Sequence, residues 1–293
     1  MNATEPFFAY AAEREKIREI RETRDIDLTD DPIFQTYRFT NVFREDDKVT
    51  KYIRKNDPHD NFSNDYNFKH QIFYTVMSRW FNRIETLQFI NKHEIIDNFF
   101  LTGDRNEVLQ KIRHWRPTGP WVTGAYIIHT PNGMNWDKLE GVVQDIYEVW
   151  VDLDNLSYRW KSEPDVTMEW MVKDLCRYRD LGPFMSYEIA CDLRWSMFKN
   201  SPPSDIMTWA NPGPGARRGL WRLFDNEEFK KSSKAGTRLC VEAMRLILQE
   251  WRGGVGVRSD EAEMREVEHT LCEFDKYERV RLGEGRPREK FKG

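Results

Sequence analysis

The chain has 293 residues, 32% of them charged and 39% hydrophobic, with a formal net charge of −4. That length supports one substantial core or two helical lobes, and the near-neutral charge excludes a uniformly basic nucleic-acid wrapper, leaving DNA contact to local basic runs. Cys176, Cys191, Cys240 and Cys272 form no Cys-x-x-Cys pair, which argues against a structural zinc or a cysteine-ligated iron–sulfur cluster; without a signal peptide or long apolar run, the expectation is a reducing cytosol, free thiols and no membrane association.

In chain order, residues 1–30 read as a polar arm, docked or frayed, with a thin apolar face over Glu13–Arg24. Asp31-Pro32 predicts a helix start, with Asp31 as N-cap and Pro32 at the first position. Ile33, Tyr37, Phe39, Val42, Phe43 and Val49 supply its apolar set, and a helix here puts Arg38, Asn41 and Arg44 on one face. Such a face is either solvated or the wall of a site. After the break at Asp57-Pro58, the pattern predicts a long apolar helix over 68–90 and another over 106–116. Residues 121–128 fit a buried helix or an extended segment, and 138–156 continues with helical periodicity.

Helices over 167–179 and 184–197 flank Asp180-Leu181-Gly182-Pro183, an arrangement similar to a helix–hairpin–helix whose amides hold a DNA phosphate, although only one glycine, Gly182, is present. In the second of these helices Glu188 and Asp192 are four apart and share a face. They fit a general base and its partner, cation ligands, or a structural pair neutralised by Arg194 or another cation. Asp205 follows in a loop.

Asn211-Pro212-Gly213-Pro214-Gly215-Ala216-Arg217-Arg218-Gly219 then breaks the chain and starts a helix. Amides converging at a helix start suit an anion, and Arg217 and Arg218 in the first turn are unfavourable there without one. A plain loop before a surface helix fits equally. Arg222, Lys230, Lys231 and Lys234 extend the basic run, and residues 276–293 form a basic tail; a solvated surface is the ordinary reading of such runs. Ser259 to Tyr277 reads as the last long helix, capped by Ser259, with Met264, Val267, Leu271 and Phe274 as its buried row and His269, Glu273 and Lys276 on other faces. His269 has no second histidine at ligand spacing and reads as a structural hydrogen-bonding group rather than a metal ligand.

Tyr37-Arg38-Phe39-Thr40-Asn41-Val42-Phe43-Arg44, Gly124-Ala125-Tyr126, Leu181 to Ile189, Asn211 to Gly219 and Glu268 to Tyr277 occur in an order that resembles the alpha-glutamyl/putrescinyl thymine pyrophosphorylases, the amino acid:DNA transferases of bacteriophage thymine hypermodification. The resemblance covers residues 30–290. It implies an all-α, DNA-glycosylase-like two-lobed fold, organised as an arm (1–30) and a single catalytic domain (31–293) with the hairpin region at 167–224. It implies an enzyme acting in a host cytoplasm on double-stranded DNA, after a separate hydroxymethyluracil DNA kinase. An amine from an amino acid such as glycine, or from a polyamine, would displace pyrophosphate from 5-pyrophosphoryloxymethyluracil in a flipped nucleotide. Glu188, Asp192, Asp205 and His269 are then the candidate proton acceptors. Asn211, Gly213, Gly215, Arg217, Arg218, Arg38, Asn41, Arg44, Glu273 and Lys276 are candidates for binding substrate or leaving group, and Gly182, Arg222, Lys230 and Lys231 for binding DNA. No ligand motif requires a metal, although pyrophosphate chemistry leaves room for a divalent cation such as Mg. A modified-pyrimidine glycosylase and a DNA-binding module without catalysis are the competing readings.

Overall fold

The computed structural model describes residues 3–23, 28–115, 120–123, 137–287 and 290–291. Among these the chain is all-α, with fourteen α-helices and no sheet; an antiparallel bridge pairs Tyr37 with Lys290. The chain divides into two compact units: Met1–Asp47 with Asp205–Gly293, and Lys48–Ser204.

The first unit begins with α1 (Glu5–Thr23) and the single-turn α2 (Pro32–Thr36). Asp31 caps α2 as its sequence predicts, its carboxylate accepting from the amides of Ile33 and Phe34, with Pro32 at the first position. The predicted continuation fails. Tyr37 and Phe43 are extended, and a short 3-10 turn follows at Arg44–Asp46. Arg38, Asn41 and Arg44 therefore do not share a helix face.

The second unit runs through α3 (Lys48–Lys55), α4 (Asp65–Phe81), α5 (Ile84–Lys92), α6 (Ile95–Thr102), α7 (Arg105–Trp115), α8 (Lys138–Val151), α9 (Leu153–Ser162), α10 (Met168–Leu175) and α11 (Pro183–Trp195). Every residue of α4 from His70 to Phe81 is buried, so α4 is the core helix of this unit. It packs against α6, α8, α9 and α11. The helix predicted over 68–90 is two helices, because Asn82 adopts a left-handed conformation (φ 42°) that ends α4. Likewise 138–156 divides at Asp152, which closes α8 and opens α9. Trp121 to Thr123 is not helical, and the rest of the ambiguous 121–128 stretch, including Gly124-Ala125-Tyr126, lies outside the described residues.

The first unit resumes with α12 (Pro214–Phe224), α13 (Lys234–Glu250) and α14 (Met264–Arg281). Between α13 and α14, Trp251–Val255 forms a π-helical turn. The last helix starts four residues later than a cap at Ser259 predicts; Glu263 caps it through a reciprocal bond pattern with Glu266. The closest helix pairing in this unit is α12 on α14. A Cβ on Gly219 would lie 2.5 Å from the Leu271 carbonyl oxygen, and one on Gly215 would overlap the Cys272 sulfur. Two glycines one turn apart thus let the backbones meet. On another side of α14, Phe7 and Tyr10 of α1 meet Phe274 edge to face, with ring centroids 6.2 and 6.0 Å apart. Fully burying a ring such as Phe7 contributes about 2–3 kcal/mol, so the start of the chain is part of this core.

Candidate functional site: the polar face of helix 14

His269, Glu273 and Lys276 are spaced four and three apart, which places them along one face of α14. The extended segment after Tyr37 crosses that face. Thr40 is the point of contact: its amide donates to Glu273 Oε2 (2.9 Å), and its hydroxyl is 2.7 Å from His269 Nε2. Lys276 Nζ completes the row, 2.6 Å from the same Glu273 oxygen and 4.8 Å from the centre of the Phe39 ring.

Arg14 of α1 fixes the segment from the other side. It donates to the carbonyls of Thr40 (2.9 Å) and Phe39 (3.3 Å) and to Asn41 Oδ1. Charge-assisted bonds of this kind contribute about 1.5–3 kcal/mol each, enough to hold the segment extended against its helical periodicity. The Asn41 amide donates to Asp47 Oδ1 (3.2 Å), and Arg44 stands 3.8 Å from the other Asp47 oxygen.

Protonation follows from these surroundings. Burial, reinforced by the cations Arg44, Arg265 and Lys276, pulls His269 well below the usual histidine range. It is therefore a neutral hydrogen-bonding group near pH 7. Burial pushes Asp47 up, against the opposing pull of Arg44. The face combines a neutral imidazole, a carboxylate–ammonium pair and an oriented carboxamide.

The α12 start is adjacent in the same unit, and its anion site is already filled from within. The Gly213 amide donates to Glu268 Oε1 (3.2 Å), so a carboxylate of α14 occupies the position expected for a pyrophosphate. The two arginines that seemed misplaced there have protein partners. Arg217 donates to the carbonyls of Pro212 (3.0 Å) and Lys231 (2.8 Å) and to Thr237 Oγ1 (2.7 Å). Arg218 and Arg222 both bind Asp275 at 2.8 Å, and Asp275 is fully buried. Gly215 serves helix packing, and Asn211 is partly buried just before the turn. Lys230 pairs with Glu227 (2.8 Å) and lies 3.6 Å above the Trp221 ring, while Lys231 pairs with Glu228. Asp205 forms a turn, its carbonyl accepting from the amides of Thr208 and Trp209 at 2.8 Å.

Glu188 and Asp192 belong to the second unit, and both are buried on α11. Asp192 is gripped by Arg79 of α4, through two guanidinium nitrogens, and by Arg54 of α3 at 2.8 Å. Burial alone would raise its pKa, but the two arginines outweigh burial and hold it well below the usual carboxylate range. A carboxylate so held is a poor proton acceptor, and the ion pair, with partners other than Arg194, is the reading its geometry supports. Gly182 precedes α11 at φ −69°, and a Cβ there would meet nothing within 4 Å. The left-handed residue of that turn is Asp180, at φ 59°. Nothing at Gly182 requires a glycine, as a phosphate-gripping hairpin would.

Among the described residues no group of three or more His, Cys, Asp or Glu side chains is arranged to hold a metal ion, and no helix is long and apolar enough to cross a membrane.

Residues 1–286 match the family described as the helical domain of 5-hmdU DNA kinase. The chain belongs to this kinase helical-domain family. A 5-hmdU DNA kinase of Bacillus phage SP10 is 27% identical over 296 residues, covering 92% of this chain and 44% of the phage protein. The chain thus spans under half the length of that curated relative. No solved structure matches.

Membership in the kinase helical-domain family corrects the resemblance to amino acid:DNA transferases, which rested on five short motifs. The family match runs through nearly the whole chain. Amine transfer with loss of pyrophosphate is set aside, and base excision and binding without catalysis fit no better. The hydroxymethyluracil DNA kinase that was expected to act earlier, as a separate enzyme, names the family of this chain itself.

Of the residues singled out by sequence, the structure brings Asn41, Arg44, His269, Glu273 and Lys276 together, with Gly213 held by the neighbouring Glu268; Arg38 is exposed on the same segment. Sequence reasoning missed Thr40, Arg14, Asp47 and Glu268. Thr40 and Glu268 lie inside motifs already noted, and Glu268 and Cys272, four apart, are the residues that meet Gly213 and Gly215. Arg14 carries no local signal.

Proposed function

We propose that this chain is the acceptor-side module of a 5-hydroxymethyldeoxyuridine DNA kinase: it binds DNA containing 5-hydroxymethyluracil and presents the modified base for phosphorylation of its hydroxymethyl group. The observation that carries this reading is the family match over residues 1–286. What survives of the earlier expectation is coarser: phage-type DNA modification centred on hydroxymethyluracil. The sequence has no Gly-x-x-x-x-Gly-Lys-Ser/Thr phosphate loop, which favours a role on the DNA side of the transfer, with a nucleoside triphosphate as donor.

The polar face of α14 fits contact with the DNA strand. With Asn41 Oδ1 engaged by Arg14, its amide N–H groups are oriented to donate, which suits a base carbonyl or a phosphate oxygen. Lys276 supplies a cation beside the Phe39 ring, and neutral His269 adds hydrogen bonding without charge repulsion. Presentation of a base to an active site requires its extrusion from the stack.

The test is competition binding of this chain to duplexes that differ only in thymine against 5-hydroxymethyluracil. Preferential binding of the hydroxymethylated duplex is expected. Equal affinity for both duplexes would overturn the reading.

A further inference from the structure

Helix α13 has a face that the site on α14 does not use. Arg238, Arg245 and Arg252 recur every seventh residue, through α13 and into the π-helical turn that follows it. Seven residues are nearly two helical turns. The three positions therefore share one side of the rod, about 10 Å apart and about 21 Å from first to last. Acids balance only part of this row. Arg245 stands 3.3 Å from Glu242, one turn earlier. Among the described residues, Arg238 and Arg252 have no carboxylate within 4 Å.

The row ends at a cleft of about 460 Å³, walled by Met207 and Thr208 of the loop before α12, by Arg245, Leu248 and Gln249 of α13, and by Arg252. Both walls are held in place. The Ile206 carbonyl accepts from the Met264 amide (3.0 Å), which ties the loop to the start of α14. On the other side, Nη1 of Arg252 donates to the carbonyls of Asp260 and Ala262, both at 2.9 Å. Two carbonyls orient a guanidinium without neutralising it. They take the hydrogens of Nη1 and leave those of Nε and Nη2, the edge that grips an oxyanion through two parallel bonds. Part of the entropy cost of ordering this cation is thus met before any ligand arrives.

Charge limits what fits. Two arginines less Glu242 give the cleft about one net positive charge, which matches the single negative charge of a phosphodiester. A nucleoside triphosphate, with several negative charges, would be poorly compensated there. A small anion would also meet one end of the row only, whereas a polyanion meets all of it. Phosphates rise about 3.4 Å apiece along one strand of B-DNA, so the row is as long as about six of them. Met207 and Leu248 add apolar surface of the kind a deoxyribose covers.

We propose that the Arg238–Arg245–Arg252 face of α13 binds the sugar–phosphate backbone of a DNA strand, with one phosphate seated in the cleft between Arg245 and Arg252. This rests on the reading of the chain as a DNA binder. Such a contact positions the duplex and carries no base information, so it adds affinity for hydroxymethyluracil and thymine duplexes alike.

The experiment measures the affinity of this chain for the two duplexes between about 50 and 200 mM salt. Arg238→Gln and Arg245→Gln should each weaken both duplexes about tenfold at low salt, the scale of one charge-assisted hydrogen bond. Each should also lower the slope of log affinity against log salt by about 0.9, with the ratio between the duplexes unchanged. Both variants leave the carbonyl clamp of Arg252 intact, and an unaltered melting temperature shows that the fold is kept. Glu242→Gln, which removes the acid beside Arg245, should tighten both duplexes. Lys173→Gln, at an exposed position of α10 in the other unit, controls for net charge and should leave the slope as it is. Slopes in Arg238→Gln and Arg245→Gln equal to wild type, or matched by Lys173→Gln, defeat the inference alone. Displacement of the duplex by adenosine triphosphate that Arg245→Gln abolishes would assign the cleft to a free nucleotide and overturn it as well. A wild type that binds neither duplex defeats the functional reading and this inference together; one that binds both equally defeats the functional reading alone.

Discussion

Asp192 and Asp145 are carboxylates of the same unit, both with essentially no solvent exposure, yet their proton affinities are opposite. Arg79 and Arg54 hold Asp192 ionised. Among the described residues neither oxygen of Asp145 has a hydrogen-bond partner, and Nε of Arg179 is 3.9 Å away. Burial, with repulsion from Asp180 and Glu148, pushes Asp145 up to about 8, Arg179 only partly opposing it. The partners contributed by other helices, rather than burial, decide whether an interior acid is a fixed anion or a neutral carboxyl. In the first unit the buried Asp275 likewise has two guanidinium partners, Arg218 and Arg222.

Breaking the gripped member should have the largest destabilising effect. Arg79→Leu leaves Asp192 buried with Arg54 alone and should cost about 3–5 kcal/mol in urea unfolding. Next comes Gly219→Ala, in which a methyl group is driven at the Leu271 carbonyl of the neighbouring helix; about 1–3 kcal/mol should be lost, whereas Gly182→Ala should change stability by under about 0.5 kcal/mol. The orphan carboxyl sharpens the contrast with the opposite sign. Because its folded-state pKa is raised, Asp145 is protonated in the native state and ionised in the unfolded chain from about pH 4 to 8. The unfolded state binds fewer protons there, so this group's contribution is lost as pH rises. Asp145→Asn should therefore gain on wild type as pH rises from 4 to 8, by on the order of 5 kcal/mol. The smallest effect is expected at His269. Its lowered folded-state value means that the unfolded chain takes up the proton first as pH falls below 6.5, so stability is lost on acidification. His269→Gln should flatten the change in melting temperature between pH 7 and 5.

Local chemistry made many helix starts legible. Asp31-Pro32, Thr167 before α10 and the proline that opens α11 all act where the chain places them. Helix ends were less so, because apolar periodicity runs through Asn82 and Asp152 while the backbone turns there. Tyr37 to Phe43 was misread for a related reason: its aromatic and branched residues satisfy a helical period, and the bonds that hold it extended come from Arg14, 26 residues earlier, and Glu273, 233 residues later. The same non-locality governs the site. The spacing of His269, Glu273 and Lys276 is visible in one helix, and the residues that Asp192 needs lie on two others. The Pro-Gly turn was found correctly as a helix start, but its occupant, Glu268, is 55 residues away.

The first unit is written in two stretches, Met1–Asp47 and Asp205–Gly293, closed by α1 on α14 and by the Tyr37–Lys290 bridge. This arrangement sets a timetable for synthesis. The ribosome delivers Phe7 and Tyr10 long before Phe274, the ring they pack against. At about 5–20 residues per second the two are separated by on the order of 10–50 s. During that interval the contiguous stretch from α3 to α11 can fold as a unit, while Phe7 and Tyr10 of α1 wait for Phe274. A helix that waits for a partner made so much later puts the nascent chain at a stage where aggregation or chaperone capture competes with folding.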